Sequence, residues 1–282
     1  MLPTPGHLKF PLEFQLLGQA PQECNPNTVA IVVDPHRTTR EQLALMPPRQ
    51  VWWFLDPIGN LDSSLLASSP HLQDYAVNVL QERRACFSDV GAVPSQVIVS
   101  DEGSASWVRG LGMSTLLTQP PVSDAVFLGV PEYSASIVTL RPISPHSALF
   151  FRQLENKLLT SVDDNAHGEG LVRALKKFSL GLSIGASVQR GFPYEAAVHL
   201  AAGHALLSDR LEPLHGLEPG IDYFEFASPE EVFHIVSYLE RSPQALHLMQ
   251  HRGHSKAEYF RASLVWPNIV EALGDGAGFW AG

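Results

Sequence analysis

Cysteine, basic residues and long apolar runs are scarce in this sequence. Its 282 residues include two cysteines, which excludes a disulfide scaffold and favours reduced thiols in a cytoplasmic protein. Lys and Arg number 19 against 29 Asp and Glu, so the net charge is −10. An acidic chain without a Lys/Arg cluster is not expected to bind nucleic acid through charge. No apolar run approaches the ~20 residues that span a bilayer, and the first residues lack a signal-peptide pattern.

Two phosphate-binding signatures are absent as well. The sequence contains neither a Walker A motif nor G-x-G-x-x-G, which removes the best support for a simple ATP or dinucleotide enzyme. The chain does contain 45% hydrophobic residues and only 17% charged ones, enough to build a buried core. These proportions exclude an intrinsically disordered protein.

Predicted strands and helices alternate after an irregular lead-in over residues 1–27. Runs such as Thr28–Asp34 and Val51–Asp56 are typical of strands buried on both faces, as in a parallel sheet flanked by helices. The other predicted strands are Ala85–Ser88, Gln96–Ser100, Ala125–Val130, Leu180–Ile184 and His204–Asp209, and the predicted helices are Thr38–Met46, one within Ser63–Arg84, Ser147–Thr160, Gly168–Phe178 and Phe192–Gly203. The alternation predicts an α/β protein.

A proline pair and a capping motif organise the second half of the chain. Pro120 and Pro121 form the best linker, so we predict two α/β domains, residues 1–122 and 123–282. Further on, Ser228–Glu231 reads Ser-Pro-Glu-Glu, a capping box with proline at the first helical position. Apolar residues then recur at helical spacing and predict an amphipathic helix: Val232, Ile235, Val236 and Leu239.

The segment around Arg190 has the composition of a phosphate site. Parallel α/β sheets bind ligands beyond the carboxyl ends of their strands, where helices begin. There Gly191 lets the main chain approach a ligand, Arg190 supplies a guanidinium, and the helix N-terminus adds N–H groups, which together suit a diphosphate. Glu195 can accept hydrogen bonds from ribose hydroxyls. A surface ion pair between Arg190 and Glu195 fits the same spacing, so both interpretations stay open.

Two residues at other strand ends are candidates for acceptor chemistry. Asp56 precedes Pro57 and His36 follows Pro35, each after a predicted strand. Either side chain can activate or orient a hydroxyl as an acid–base group. Turn-forming roles beside the two prolines explain both residues equally well.

Histidine clusters do not predict a metal site. His247 and His251 share a helix face at i, i+4, but neither His254 nor any Cys or carboxylate completes a zinc site at suitable spacing. His199 and His204 are five residues apart, and we expect them to bracket a helix end. No metal is therefore expected.

A series of short motifs follows in a fixed order. These are Arg190–Pro193, Leu200–Gly203, Ala205–Asp209, Glu212, Pro219–Gly220, Ile221–Phe226 and Ser228–Glu231. In this order they resemble the C-terminal donor domain of retaining GT-B glycosyltransferases, nearest to the spore-maturation-type, group 1 branch. Val51–Pro57 is similar to the aromatic-Asp-Pro strand end of that branch, and Val126–Gly129 to the strand that opens its donor domain.

The resemblance implies a fold, a reaction and a set of residues. The fold is GT-B-like, with two Rossmann-like domains whose parallel sheets face a central cleft. The reaction is hexosyl transfer from a nucleotide-diphosphate sugar to an unknown acceptor, without cofactor or metal. The oligomeric state stays open, and both a homo- and a hetero-oligomer are compatible with the sequence. The implied donor-binding residues are Arg190 and Gly191 for the diphosphate, Gly129 for a close loop, and Glu195 and Glu212 for the nucleotide or sugar.

Two further hypotheses stay open. Val198 stands where the family has a ribose-binding glutamate, and the chain is short for two such domains. Both features favour a non-catalytic partner subunit or a glycan-binding scaffold. Another α/β nucleotide enzyme would need a catalytic pair that the sequence does not show. Binding of a nucleoside diphosphate separates the enzyme from the scaffold.

Overall fold

The computed structural model describes residues 29–47, 49–55, 57–60, 70–89, 94–131, 134, 136–140, 159–161, 168–184, 191–212 and 215–275. Their contacts form two compact units. The N-terminal unit takes the described residues up to Gln119, together with Gly191 and the residues from Val265 onward. The C-terminal unit takes those within Pro120–Ser187 and Phe192–Leu264.

The N-terminal unit is built on a four-stranded parallel sheet. Its strands are β1 (Val29–Val33), β2 (Arg49–Trp53), β3 (Gln96–Val99) and β4 (Thr115–Leu117), paired in that order. Its helices are α1 (Arg40–Ala44), α2 (Pro70–Asp89) and α3 (Glu102–Gly110). The core lies against the sheet, where the buried side chains include Trp52, Phe54, Val97, Val99 and Val108.

The C-terminal unit carries a five-stranded parallel sheet. Its strands are β5 (Ile137–Thr139), β6 (Leu159–Ser161), β7 (Leu180–Ser183), β8 (Ala205–Ser208) and β9 (Phe224–Glu225), in the order β6-β5-β7-β8-β9. The helices are α4 (Glu169–Leu175), α5 (Tyr194–Ala201), α6 (Pro229–Arg241), α7 (Pro243–Ala257) and α8 (Ala262–Asp275), the last of which belongs to the N-terminal unit from Val265. No helix of the described ranges is long and apolar enough to cross a membrane.

The predicted amphipathic helix is confirmed as α6. Ser228 caps it, because its hydroxyl accepts the N–H of Glu231 at 3.3 Å. The Glu231 carboxylate accepts the N–H of Ala227 at 2.7 Å, one residue before the cap itself. Val232 and Val236 are buried on the face that packs against β7 and β8.

Two of the predicted strands are wrong. Residues 85–88 form the last turns of α2, because Cys86 and Phe87 pack into the core from the helix. Residues 124–126 form a 3₁₀ turn, and no strand follows up to Val130. There the Asp124 carboxylate binds the N–H and hydroxyl of Ser263 at 3.1 and 2.8 Å, a long-range contact that holds the segment out of the sheet. The next strand along the chain is β5, which the sequence pattern does not predict.

Two predicted elements differ in extent. The strand expected at Val51–Asp56 ends at Trp53, because the N–H of Leu55 turns to the Asp34 carboxylate at 3.0 Å. The helix expected at Ser147–Thr160 lies outside the described residues as far as 158, and the two residues after that belong to β6.

The Trp53–Trp266 contact predicts a large loss of stability on truncation. Both side chains are buried, and their rings meet edge to face with centroids 5.5 Å apart. Trp266→Ala should lower the free energy of unfolding by about 3–5 kcal/mol, because it removes a large buried ring and leaves a cavity. The measurement is urea unfolding followed by circular dichroism.

Leu264→Ala is the matched control in the same helix. The Leu264 side chain is 52% exposed, so its removal should change the free energy of unfolding by about 0.5 kcal/mol or less. Equal losses in the two variants would contradict the packing of α8 described here.

Candidate functional site

The structure describes five of the seven predicted site residues. Asp56 and Arg190 lie outside the described residues, so their roles stay predictions. His36 and Gly191 belong to the N-terminal unit, whereas the other three belong to the C-terminal unit.

The ends of β1 and β2 are joined through Asp34. This residue is buried and adopts a left-handed conformation with φ of 47°. Its N–H donates to the Trp53 carbonyl at 2.8 Å, and its carboxylate accepts the N–H of Leu55 at 3.0 Å. His36 follows in a 3₁₀ turn, where its ring stacks on Phe54 with centroids 6.3 Å apart. Asp34 thus orders the strand end that precedes Asp56.

The loop after β2 is held through its main chain by α3. The N–H groups of Ile58 and Gly59 both donate to the Ser104 hydroxyl oxygen, at 2.8 and 3.1 Å. The Ser104 hydroxyl donates to Asp101 at 2.6 Å, and Asp101 also accepts the N–H of Ser104 at 2.7 Å. Burial raises the pKa of Asp101, while its hydrogen bonds to Ser104 lower it. The Ser104 hydroxyl therefore uses its one donor and both of its acceptor positions in this network.

Two arginines of α2 hold the same loop from the other side. Arg83 donates to the Pro57 carbonyl at 2.9 Å, and Arg84 donates to the Ile58 carbonyl at 3.0 Å. The Arg84 guanidinium also lies 4.1 Å from the centre of the Trp107 ring. Four consecutive main-chain groups of residues 57–59 are therefore bound to side chains.

In the C-terminal unit, Glu195 lies in the first turn of a buried helix. Pro193 precedes α5 without providing a side-chain cap. Glu195 is only 4% exposed, and the residues after it as far as Ala201 are all buried. A carboxylate near a helix N-terminus is favoured by the helix dipole.

Glu212 and Gly129 lie at different places relative to α5. Glu212 is half-buried and follows β8, whose carboxyl end is on the same edge of the sheet as the start of α5. The N–H of Leu128 donates to the carbonyl of Ala201, at the other end of α5. From Glu195 to Ala201 the helix rises about 9 Å, so the chain at Gly129 lies away from the helix N-terminus.

Two serines that are not among the predicted site residues complete this edge. Ser183 and Ser208 are register partners at the ends of β7 and β8. Gly181, two residues before Ser183, lies against the His199 ring of α5, so both serines face the α5 side of the sheet. Their hydroxyls are fully buried and have no hydrogen-bond partner in the described part of the chain. The signal was available, because both strands end in serine: LGLS and ALLS.

His199 and His204 form a hydrogen-bonded pair, which corrects the expectation that they only bracket a helix end. His204 Nε2 donates to the Leu175 carbonyl at 3.0 Å, because a carbonyl can only accept. In the neutral ring its Nδ1 is then an acceptor, so His199 Nδ1 donates to it at 3.0 Å. Burial and the neighbouring His204 lower the pKa of His199, and burial lowers the pKa of His204 to about 4.

The described residues contain no group of three or more His, Cys, Asp or Glu side chains that could hold a metal ion. The rings of His247 and His251 meet edge to face, with centroids 4.2 Å apart. His254 turns away, since its Nδ1 lies 3.2 Å from the Leu200 carbonyl. The three side chains therefore do not converge.

Comparison with known proteins gives a fold. No protein-family model matches the chain, and no curated protein matches it in sequence. Among solved structures, Anabaena HepE in complex with UDP-glucose matches with a TM-score of 0.58 and 11% identity, over 87% of this chain and 78% of that one.

Two further solved structures are also similar to this chain. The pneumococcal O-GlcNAc transferase GtfA in complex with UDP and GlcNAc has a TM-score of 0.52 and 10% identity, over 89% of this chain and 58% of that one. TarM has a TM-score of 0.56 and 9% identity, over 91% and 55% of the two chains. These proteins are GT-B glycosyltransferases. The chain therefore has a GT-B-like α/β fold, which confirms the predicted fold class.

The buried histidine pair predicts a loss of stability in acid. In the unfolded chain the two histidine rings bind protons below about pH 6.5, whereas in the folded chain their lowered pKa keeps them neutral to a lower pH. The free energy of unfolding therefore falls as the pH falls below about 6.5. With the pKa of His204 lowered to about 4, the loss attributable to this residue is on the order of 3 kcal/mol at pH 4. Urea unfolding at several pH values measures it.

His204→Gln should remove this part of the pH dependence, because glutamine does not titrate. His247→Gln is the control, since the His247 side chain is exposed. The same acid slope in both variants and the parent chain would contradict the neutral pair.

Proposed function

We propose that the protein is a glycosyltransferase that moves a sugar from a nucleotide-diphosphate donor to an acceptor. The observation that carries the proposal is the polar carboxyl edge of the C-terminal sheet. There the N-terminus of α5, the buried carboxylate of Glu195 and the two hydroxyls of Ser183 and Ser208 lie on one side of β7 and β8. The Ser183 and Ser208 hydroxyls have no hydrogen-bond partner among the described residues, and buried hydroxyls of this kind favour a bound ligand or water.

The donor would be held at this edge. The helix dipole of α5 and the guanidinium of Arg190 would stabilise the departing diphosphate, and the main chain at Gly191 would lie beside it. Glu195 would accept hydrogen bonds from the ribose, and Glu212 would contact the nucleotide or sugar. A guanidinium and a helix N-terminus can supply the positive charge that a metal ion supplies elsewhere, so we propose metal-independent hexosyl transfer. HepE has been solved with UDP-glucose, which makes UDP the first nucleotide to test.

The acceptor hydroxyl would be activated or oriented by Asp56 or His36. Support comes from the order of the β2 strand end, where Asp34 binds the N–H of Leu55 and the His36 ring stacks on Phe54. For His36, the stacked ring is already ordered, so aiming it at a reacting hydroxyl costs less conformational entropy.

A non-catalytic partner subunit is the second candidate. Val198 is buried in the core around α5, so the position where the family has a glutamate offers only an apolar side chain. A scaffold of this kind would keep the fold without binding a nucleotide.

Calorimetric titration with UDP, GDP, dTDP and ADP, without added metal, distinguishes the two candidates. We expect saturable binding of one nucleotide, and Arg190→Ala should weaken it about tenfold to a hundredfold, because one charge-assisted contact to phosphate is lost. Arg252→Ala is the control, since Arg252 is an exposed residue of α7. Failure of all four nucleotides to bind the folded protein would favour the scaffold.

A further inference from the structure

Gly191 lies directly against the ring of Pro57 within the N-terminal unit. A Cβ atom added at Gly191 would overlap Cγ of Pro57 and would lie 2.9 Å from its Cβ and 3.4 Å from its Cδ. Both residues are buried. Gly191 is not among the residues with positive φ. Close approach to Pro57, and not an unusual main-chain conformation, is therefore what requires glycine here.

Pro57 cannot move away from an added Cβ, because its loop is bound on both sides. Its own carbonyl accepts from Arg83, and the next two N–H groups donate to Ser104. Gly59 closes the loop against α3, where an added Cβ would lie 2.6 Å from the Gly103 carbonyl carbon. The Pro57 ring is thus a fixed surface on which the main chain at Gly191 rests.

The position of this contact along the chain connects two predicted functional segments. Pro57 is the residue after Asp56, our candidate for acceptor chemistry. Gly191 is the residue after Arg190, our candidate for the diphosphate. Since a side chain can reach only as far as its main chain allows, fixing Gly191 restricts where the neighbouring guanidinium can bind.

We propose that Pro57 is a positioning residue for the donor diphosphate, which it controls by fixing the main chain at Gly191. The inference rests on the proposed function and adds a residue that the sequence resemblance does not assign to donor binding. Pro57 contacts no substrate in this role. It acts through the packing of its ring on Gly191, so its effect depends on which residue stands at position 191.

The test is a double-mutant cycle between positions 57 and 191, with UDP affinity measured by calorimetry on folded protein. Gly191→Ala should weaken UDP binding roughly 10- to 100-fold, because the added Cβ displaces the main chain beside the phosphate contact. Pro57→Gly removes the ring and should restore binding in the double variant, whereas Pro57→Ala leaves Cβ in place and should restore it only in part.

A matched control separates this effect from a general effect of alanine. Gly110 lies in α3, and an added Cβ there would meet no atom within 4 Å. Gly110→Ala should leave UDP affinity within about twofold of the parent chain. If Gly191→Ala does not fold, the Pro57→Gly variant is compared with the Pro57→Gly/Gly191→Ala double variant. Without the proline ring, alanine at position 191 has room, so the double variant should bind UDP at least as tightly as Pro57→Gly.

The outcomes separate this inference from the proposed function. Failure of the parent chain to bind any of the four nucleotides overturns the proposed function and this inference with it. Binding by the parent chain together with unchanged binding by Gly191→Ala overturns the inference alone. Weakened binding that Pro57→Gly does not restore also overturns it. The inference is supported if, among chains that carry Gly191→Ala, UDP affinity is highest with glycine at position 57, intermediate with alanine and lowest with proline.

Discussion

Parallel strand pairing is the constraint on which the rest of the structure depends. All strand pairs described in the two sheets run in the same direction. The carboxyl ends of the strands in each sheet therefore lie at the same edge, and the chain crosses a face of the sheet between one strand and the next. In the C-terminal unit this edge places Ser183 beside Ser208, with the start of α5 above them. In the N-terminal unit it places the Pro57 loop next to the start of α3, where Ser104 binds it. Both candidate sites follow from strand direction.

Elements with a strong local pattern could be predicted from the sequence. The apolar runs of β3, β7 and β8 are buried as expected, whereas in the β-branched run of β1 only Val32 is fully buried. The lengths of all four strands agree with the prediction within one or two residues. Helix α6 has the clearest local pattern, because its capping serine is followed at once by apolar residues at helical spacing. In these places the local sequence and the tertiary packing favour the same structure.

Features that depend on distant partners could not be predicted. Residues 125–130 are as apolar as a strand, yet Asp124 binds Ser263, which no local pattern reveals. The histidine pair depends on the packing of α5 against β7, where Gly181 leaves room for the His199 ring. At Gly191 the sequence predicts a close approach of the main chain to a ligand. The residue that the structure places against it is Pro57, 134 positions earlier in the sequence.

The most direct test of the central claim is a crystal structure of the protein grown with UDP. The account predicts a diphosphate at the N-terminus of α5, within hydrogen-bonding distance of first-turn N–H groups, and a ribose beside the Glu195 carboxylate. A nucleotide bound away from the carboxyl edge of β7 and β8 would contradict it. A fully occupied UDP whose phosphates contact only solvent would contradict it equally.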